Sequence, residues 1–294
     1  MVRRRQLHHG ARWHEDPAAA PRRHPHAARR GLVVTRGPGP DPRLPADAEL
    51  AARLVRGAGE LAHRMRADGL SAQAKTSVSD VVTAADHAAE RLVVDTLATE
   101  RPEDGVLGEE GSAREGRSGR TWVIDPVDGT YNFVAGLDWW CSAIALTDGD
   151  RLVLGAVHHP ATGRTLVGGP DLPTTVDGVP LEPLVDRPLA QSCLTTYLHP
   201  PYLDHEVGRA FRRMAGRAAT LRMLGSGSMD AVAVAEGRLH VVCQHSVPPW
   251  DELPGAALVL GAGGVTRRVE AAGVTWYAAG APTAVAEVAR ALVG

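Results

Sequence analysis

The segment of residues 122–133, WVIDPVDGTYNF, constrains the fold more than any other stretch of the chain. A short apolar run, typical of a buried strand, ends in Asp125 and Asp128, and Gly129 and Thr130 follow at once. Two carboxylates that lie close together in a buried place cost free energy unless a positive group lies between them. The segment therefore predicts a strand that delivers two acids to a site for a positive ion.

Length and composition predict a globular protein. The chain has 294 residues, of which 44% are hydrophobic, enough for one large domain or two smaller ones with a proper core. No apolar run approaches the roughly 20 residues that cross a bilayer, and the N-terminus lacks the apolar region of a secretory signal. The three cysteines, Cys141, Cys193 and Cys243, are widely spaced. They are typical of reduced thiols, so we expect a cytoplasmic protein without a membrane partner.

Charge is distributed unevenly along the chain. Residues 1–45 contain ten arginines and three acids, a net +7, which leaves about −9 on residues 46–294 within the total of −2. Residues 1–45 also contain seven prolines and show no helical or strand period, so we predict a disordered tail or a misassigned start. Nucleic-acid binding is expected, if at all, only from this tail, because the rest of the chain is acidic.

Apolar spacing predicts helices over residues 46–65 and 83–99, with Thr83 as the N-cap of the second and Asp86 as its capping-box partner. Strands are predicted at 106–110 and 121–125, followed by three antiparallel strands within 139–169. Strands and helices then alternate, which predicts a mixed sheet covered by helices. The predicted elements of this part are a strand at 192–197, helices at 203–215 and 225–238, a strand at 239–243, a helix that begins at Asp251, a strand at 274–278 and a helix at 283–293.

Acidic residues occur at the ends of several predicted elements. Glu109 and Glu110 follow one strand, Asp125 and Asp128 end the next, and Asp251 begins a helix. Side chains at element ends can converge on one cleft. Carboxylates are the ligands that Mg²⁺ prefers, and paired Mg²⁺ ions can activate a water and stabilise a leaving oxygen. The pattern therefore predicts metal-assisted phosphoryl transfer.

The residues between and after the two aspartates fit the same chemistry. A turn at Pro126 and Val127 would aim both carboxylates and the Val127 carbonyl at one ion. Gly129 permits close backbone approach to a phosphate, and its N–H and that of Thr130 can hold phosphate oxygens. The Thr130 hydroxyl can orient a water together with Glu110.

Each acid also has a purely structural interpretation. Asp251 can be an N-cap, Asp86 a capping-box residue, the pair Glu109 and Glu110 a solvated loop, and residues 125–129 a turn. Their joint occurrence in this order is harder to explain in that way.

The motifs together resemble the inositol monophosphatase family. The matching segments are KTSVSDVVTAAD (75–86), LGEEG (107–111), WVIDPVDGTYNF (122–133), LGSGSMD (224–230) and PWDELPGAALVLGAGG (249–264). The resemblance implies an α+β fold, a layered αβαβα sandwich with sub-domains at residues 46–185 and 186–294. It also implies a Mg²⁺-dependent, lithium-sensitive phosphatase that hydrolyses a small phosphate monoester as a homodimer.

The resemblance also implies roles for individual residues. Metal would be bound by Glu109, Asp125, the Val127 carbonyl, Asp128 and Asp251, and a weaker metal position would be supported by Asp86. Glu110 and Thr130 would position the water. Substrate would contact Gly129, Thr130, Gly225, Ser226, Gly227, Gln244 and Asp251. Lys75, the only lysine of the chain, falls where the family has a lysine near the site.

Three departures from the family pattern concern substrate choice. Gln244 stands where inositol-specific members often have Glu, and Gly261 replaces an acid. The segment 168–181 differs, and only the turn at Asp177 and Gly178 is clearly kept. Inositol 1-phosphate is the default substrate, with histidinol phosphate or a sugar phosphate of a specialised pathway as the alternative. Bisphosphates rank lower, since no extra basic cluster is evident. A non-catalytic binding protein on the same fold is the alternative from another class.

Overall fold

The computed structural model describes residues 41–69, 72–74 and 81–294, with only the backbone described at 72–74, 81 and 82. Lys75 and nearly all of the predicted tail lie outside the described residues. The helices are α1 Leu44–Ala67, α2 Ala84–Glu100, α3 Thr130–Ala135, α4 Glu206–Ala215, α5 Gly227–Ala235, α6 Pro249–Gly261 and α7 Pro282–Val293. The strands are β1 Ala72–Ala74, β2 Val81–Thr83, β3 Gly105–Gly108, β4 Ala113–Arg114, β5 Arg120–Asp128, β6 Cys141–Asp148, β7 Arg151–His159, β8 Arg164–Gly169, β9 Leu172–Val176, β10 Val179–Pro180, β11 Cys193–Thr196, β12 Thr220–Arg222, β13 Val241–His245, β14 Val265–Ala271 and β15 Val274–Gly280.

Two mixed sheets form the framework. The first has the strand order β10-β9-β8-β7-β6-β5-β3-β4, and all its neighbours are antiparallel except β3 and β5. The second has the order β12-β11-β13-β15-β14, in which β11 runs parallel to both of its neighbours. A separate short pair joins β1 and β2.

Helices cover both faces of each sheet and produce five layers. One apolar cluster packs α1 and α2 against the first sheet, through side chains such as Leu54, Trp122 and Ile144. A second fills the space between the sheets around α5 and α6. A third packs α4 and α7 on the outer face of the second sheet, around Trp276. This order of layers confirms the predicted α+β sandwich.

Most predicted elements are present, with shifted ends. The helix predicted to begin at Asp251 begins at Pro249, because proline is favoured in the first turn of a helix. The strand predicted at 106–110 ends at Gly108, so both glutamates lie in the turn beyond it. The pattern does not predict β12 or β14, whose residues are mostly exposed or half-buried and lack a regular apolar alternation.

The altered segment 168–181 forms a hairpin. Asp177 and Gly178 lie between β9 and β10 with φ angles of 49° and 83°. Two consecutive positive φ values are the geometry of the tightest hairpin turns, in which Asp-Gly is favoured. The Asp177-Gly178 turn is thus present. None of the described helices is long and apolar enough to cross a membrane.

A buried ion-pair cluster ties the first two helices to the first sheet. The Asp47 carboxylate on α1 is fully buried and lies 2.5 Å from Arg120 Nη2 at the start of β5. It also lies 2.9 Å from Arg101 Nη2, just after α2. Arg120 is itself almost fully buried, so its charge depends on Asp47 for compensation.

We expect Asp47→Asn to lower the free energy of unfolding by about 3–5 kcal/mol, because it leaves the buried Arg120 without a counter-charge. Urea unfolding followed by circular dichroism measures the change. The matched control is Glu100→Gln, which breaks the exposed pair between Glu100 and Arg53 and should leave the midpoint almost unchanged. Similar losses in both variants would contradict the structural role of the cluster.

Candidate active site

A bulge in β5 places both aspartates of the opening motif on one face of the sheet. Asp125 pairs with Ala143 and Asp128 pairs with Cys141, so three steps on β5 correspond to two on β6. Residues three apart in a regular strand point to opposite faces, and one extra residue restores the same face. Ala143 and Cys141 belong to the core between the sheets, so both carboxylates point toward that layer.

Two hydrogen bonds hold the bulge. The Val127 N–H donates to Asp125 Oδ1 at 3.1 Å, and the Ser142 hydroxyl donates to the Pro126 carbonyl at 2.5 Å. Pro126 has no N–H to offer β6, which makes it compatible with the interrupted ladder. The DPVD sequence is therefore an irregular strand end and not a separate turn.

The N-terminus of α5 receives the Asp128 carboxylate. The Ser228 N–H donates to Asp128 Oδ2 at 2.5 Å. Ser226 caps the same helix by accepting from the Met229 N–H at 3.3 Å. A carboxylate is stabilised at a helix N-terminus by free N–H groups and the helix dipole. The LGSGSMD motif thus contacts Asp128 directly, across 100 residues of chain.

Asp251 lies in the first turn of α6 and reaches the same place. The N-cap of α6 is Pro248 and Asp251 is the third helical residue, so the interpretation of Asp251 as an N-cap is wrong. Asp251 is half-buried, and its carboxyl group hydrogen-bonds to that of Asp125. Helix α6 therefore brings a third acid from the second half of the chain to the end of β5.

The glutamate pair lies in the turn after β3 and is held by Glu90 of α2. The Glu90 carboxylate accepts from the Glu110 N–H at 2.9 Å and from the Ser112 N–H at 3.0 Å. The Glu110 side chain is only 3% exposed, with Oε2 3.8 Å from His87 Nδ1. This burial contradicts the interpretation of the pair as a solvated loop.

Thr130 begins α3 and connects the cleft to Asp86. Its hydroxyl lies 2.9 Å from the Val127 carbonyl and 3.3 Å from Asp86 Oδ1. Asp86 also completes the predicted capping box with Thr83. Gly129 has a φ of 93°, and an added Cβ there would lie 3.0–3.2 Å from Ser226 and from backbone oxygens. Only glycine meets both conditions at position 129.

The clustered acids shift one another's protonation. Burial raises the pKa of Asp125 well above its usual range, and the charges of Glu109, Asp128 and Asp251 add to the effect. Burial also raises the pKa of Asp251 to about 7. Burial raises the pKa of Asp128 as well, although hydrogen bonds from Ser228, Ser226 and Gly227 oppose the shift. The hydrogen bond between the two carboxyl groups raises the pKa of Asp125 and lowers that of Asp251.

These acids line a cleft of about 420 Å³ between the two sheets. None of its described lining residues is Lys or Arg. Glu110 and Asp86 are not among its described lining residues. The described lining residues are Glu109, Asp125, Val127, Asp128, Gly129, Thr130, Tyr131, Asn132, Tyr197, His199, Met223, Leu224, Gly225, Ser226, Gly227, Gln244, His245, Ser246, Val247, Pro248 and Asp251.

The donor set fits a hard divalent cation. Carboxylate and carbonyl oxygens meet in this cleft, and they come from Glu109, Asp125, Val127, Asp128 and Asp251. Without a cation, the raised pKa values of Asp125 and Asp251 favour the protonated carboxyl groups. Among the described residues, no three His, Cys, Asp or Glu side chains already surround a point as metal ligands would. The bond between Asp125 and Asp251 would have to open for both to bind one ion.

Three residues that support the site escape the sequence analysis. Asn132 donates through Nδ2 to the carbonyls of Trp139 and Leu224, at 2.8 and 2.7 Å. The buried Asp230 accepts from Trp139 Nε1 and Thr195 Oγ1. Burial raises the pKa of Asp230 to about 7. Glu90 is four residues after Asp86 on α2, a spacing that places both on one face and is the only signal that could have found it.

The layered fold is that of solved inositol monophosphatases, and the clustered acids lie at a boundary between its layers. The sequence profile of the inositol monophosphatase family matches residues 46–292. The chain belongs to this family of phosphoric monoester hydrolases.

Individual relatives agree with this assignment. The chain is 32% identical to "Fructose-1,6-bisphosphatase/inositol-1-monophosphatase" of Thermotoga maritima, over 74% of this chain and 82% of that protein. It is 33% identical to "Nus factor SuhB" of Pseudomonas aeruginosa, over 74% of this chain and 83% of that protein. Its fold is similar to that of the Thermotoga maritima IMPase, with a TM-score of 0.74 at 27% identity, covering 84% of this chain and 96% of that one.

We expect Glu90→Gln to lower phosphatase kcat/KM by about 10–100-fold, as is usual when a group that orients metal ligands is altered. The Glu90 carboxylate accepts hydrogen bonds from two backbone N–H groups. In the variant, the N–H₂ group of the new amide would face one of them, and that hydrogen bond would be lost. Steady-state phosphate release measures the effect. Glu100→Gln, at the exposed end of the same helix, is the control and should be active. Full activity of the Glu90 variant would show that the turn does not depend on it.

Proposed function

We propose that the protein is a Mg²⁺-dependent phosphomonoesterase that hydrolyses the phosphate ester of a small alcohol by attack of water. The observation that carries this proposal is the convergence of Asp125, Asp128 and Asp251 with Glu109 in one cleft beside the Thr130 hydroxyl. Buried acids in this number need a cation, and an oxygen-only donor set selects a hard one.

In this proposal Glu109, Asp125, Asp128, Asp251 and the Val127 carbonyl hold metal. Bound Mg²⁺ would lower the pKa of a water and neutralise charge on the leaving oxygen. These residues would keep the ion at the end of β5, where the bulge aims both aspartates.

Other residues would handle the water and the phosphate. Thr130 and Glu110 would orient the attacking water, with Asp86 fixing Thr130 from behind. The N–H groups of Gly129 and Thr130 would hold phosphate oxygens, since no Cβ at position 129 blocks their approach. Lys75 would add positive charge near this site.

The substrate is proposed to be a polyol, cyclitol or related small-alcohol phosphate. Inositol 1-phosphate is the reference compound, supported by the names of two relatives, and histidinol phosphate or a sugar phosphate is the alternative. A homodimer is proposed from the family resemblance, and a cytoplasmic location from the three free cysteines.

The deciding experiment measures phosphate release from a panel of esters with Mg²⁺ and with EDTA. The panel contains inositol 1-phosphate, histidinol phosphate, several sugar phosphates and a bisphosphate nucleotide. Release that requires Mg²⁺ and favours one ester would support the proposal and identify the substrate. No release from any member would favour a non-catalytic role.

That second role has one observation in its favour, the likeness to proteins named Nus factor SuhB. A purely binding protein would have no need to keep its buried acids. The intact set of Glu109, Asp125, Asp128 and Asp251 therefore supports catalysis.

We expect Asp128→Asn to reduce Mg²⁺-dependent phosphate release by at least about 100-fold. Altering a residue that only orients a metal ligand costs up to about 100-fold, and Asp128 is itself a proposed ligand. The amide keeps the shape of the side chain but removes a charge that faces the ion. Asp148→Asn, at the far end of β6, is the control and should be fully active. Near-normal turnover of the Asp128 variant, with an unchanged circular dichroism spectrum, would refute the site assignment.

We expect the metal-free protein to lose stability as pH rises from about 4 to about 7. The folded-state pKa of Asp251 and of Asp230 is about 7, above the ordinary 3.8, so only the folded state holds these protons in that range. Mg²⁺ competes with the protons at the cleft. Millimolar Mg²⁺ should therefore raise Tm more at about pH 7.5 than at about pH 5. Melting curves with K⁺ at equal ionic strength are the control, and an equal Mg²⁺ effect at both pH values would contradict the idea.

A further inference from the structure

The cleft has two chemically different sides. Acids from the first sheet and α6 form one side. The other side consists of the end of β13 and of segments that follow β11, β12 and β13 in the second sheet. We call Tyr197, His199, Gln244 and His245 on this second side the ring wall. With the phosphate group of a substrate at the acids, the alcohol part of the substrate would extend toward the ring wall.

The ring wall offers flat ring surfaces, because three of its four side chains are rings. Tyr197 and His199 lie in edge-to-face contact, with ring centroids 4.7 Å apart and planes at 74°. Gln244 contributes one amide, near Gly227 of α5. An aromatic ring can pack on these rings in an offset or edge-to-face arrangement, which stabilises it beyond the area that it buries.

Further aromatic rings pack against the ring wall on the side away from the cleft. The His245 ring lies 4.9 Å from that of Tyr202 and 5.1 Å from that of the fully buried Trp276. The next residue, Ser246, has a φ of 55°, a conformation that costs free energy for a non-glycine residue. Trp276 is itself fixed by its Nε1–H, which donates to the Ala271 carbonyl. Side chains that are already fixed lose little conformational entropy when a rigid ligand binds to them.

The described part of the ring wall does not favour a second anionic group. It contains no Lys or Arg. Burial, with a smaller effect from His199, lowers the pKa of His245 to about 4, so this imidazole is neutral at pH 7. The amide of Gln244 can both donate and accept, which suits a ring heteroatom or a neutral substituent.

We propose that the alcohol released by this enzyme carries a flat aromatic or heteroaromatic ring without negative charge, which packs against Tyr197 and His199 and hydrogen-bonds to Gln244. This inference rests on the proposed phosphatase function and narrows its substrate class.

A matched pair of esters tests the proposal in the full-length protein with Mg²⁺. Benzyl phosphate and cyclohexylmethyl phosphate have the same linkage and ring size, but only the first ring is flat. Base-on-aromatic stacking is worth about 1–3 kcal/mol, so kcat/KM for the benzyl ester should be at least about fivefold higher. It should also exceed kcat/KM for inositol 1-phosphate.

Variants assign the preference to the wall. Tyr197→Leu should bring the ratio of the two esters close to one while turnover of the cyclohexylmethyl ester persists, which shows that the variant is folded. Tyr197→Phe keeps the ring and should keep the ratio. Tyr131→Leu removes an exposed ring from the opposite side of the cleft, on α3, and should also keep the ratio.

The outcomes separate the two proposals. Mg²⁺-dependent hydrolysis of both esters at equal rates, or faster hydrolysis of the cyclohexylmethyl ester or inositol 1-phosphate, would overturn the flat-ring proposal and leave the phosphatase intact. A ratio lost in Tyr131→Leu but kept in Tyr197→Leu would overturn the assignment to the ring wall. No Mg²⁺-dependent hydrolysis of any ester, including the panel above, would overturn both.

Discussion

Repulsion among the buried carboxylates at the end of β5 is the constraint on which the rest of the structure depends. Asp125 and Asp128 come from β5 and Asp251 comes from α6. A strand bulge turns Asp125 and Asp128 to one face, the N-terminus of α5 donates N–H groups to Asp128, and a hydrogen bond joins Asp125 to Asp251. Together these contacts stabilise the carboxyl groups in the absence of a cation. The cluster still lacks positive charge, which favours the binding of a cation.

The site spans the boundary between the layers, so its geometry depends on side chains that connect them. Asn132 ties α3 to the loop before α5, and an added Cβ at Gly225 of that loop would lie 3.1 Å from its amide. Asp230 joins α5 to β11 and to Trp139 before β6. Such buried polar links are fully satisfied only in one relative position of the layers. They therefore set the width of the cleft, although none of these links supplies a carboxylate to the cluster.

In the proposed function, chemistry and specificity would arise from different sides of the cleft. Asp125 and Asp128 belong to the first sheet, whereas Gln244 belongs to the second sheet and Tyr197 and His199 follow its strand β11. Since the second side does not hold the cation in the proposed function, its residues can change without loss of the hydrolytic machinery. This separation would explain how a chain can carry every acid that the family pattern assigns to metal and still have Gln244 where inositol-specific members often have glutamate.

The sequence by itself determined the local features: the capping box of Thr83 and Asp86, the DPVDGT strand end, the Asp-Gly hairpin and most helices, because each depends on residues within a few positions of one another. It also indicated, through the family pattern, which acids belong together. Only the tertiary structure decided that a bulge aligns Asp125 with Asp128, that Glu90 holds the glutamate turn and that Tyr197 and His199 form a wall. These relations depend on contacts between residues far apart in the chain, and the free energy of such contacts depends on how layers pack, which leaves no periodic signal along the chain. For the same reason β12 and β14, which pair at the edges of the second sheet with little apolar alternation, could be found only in the folded protein.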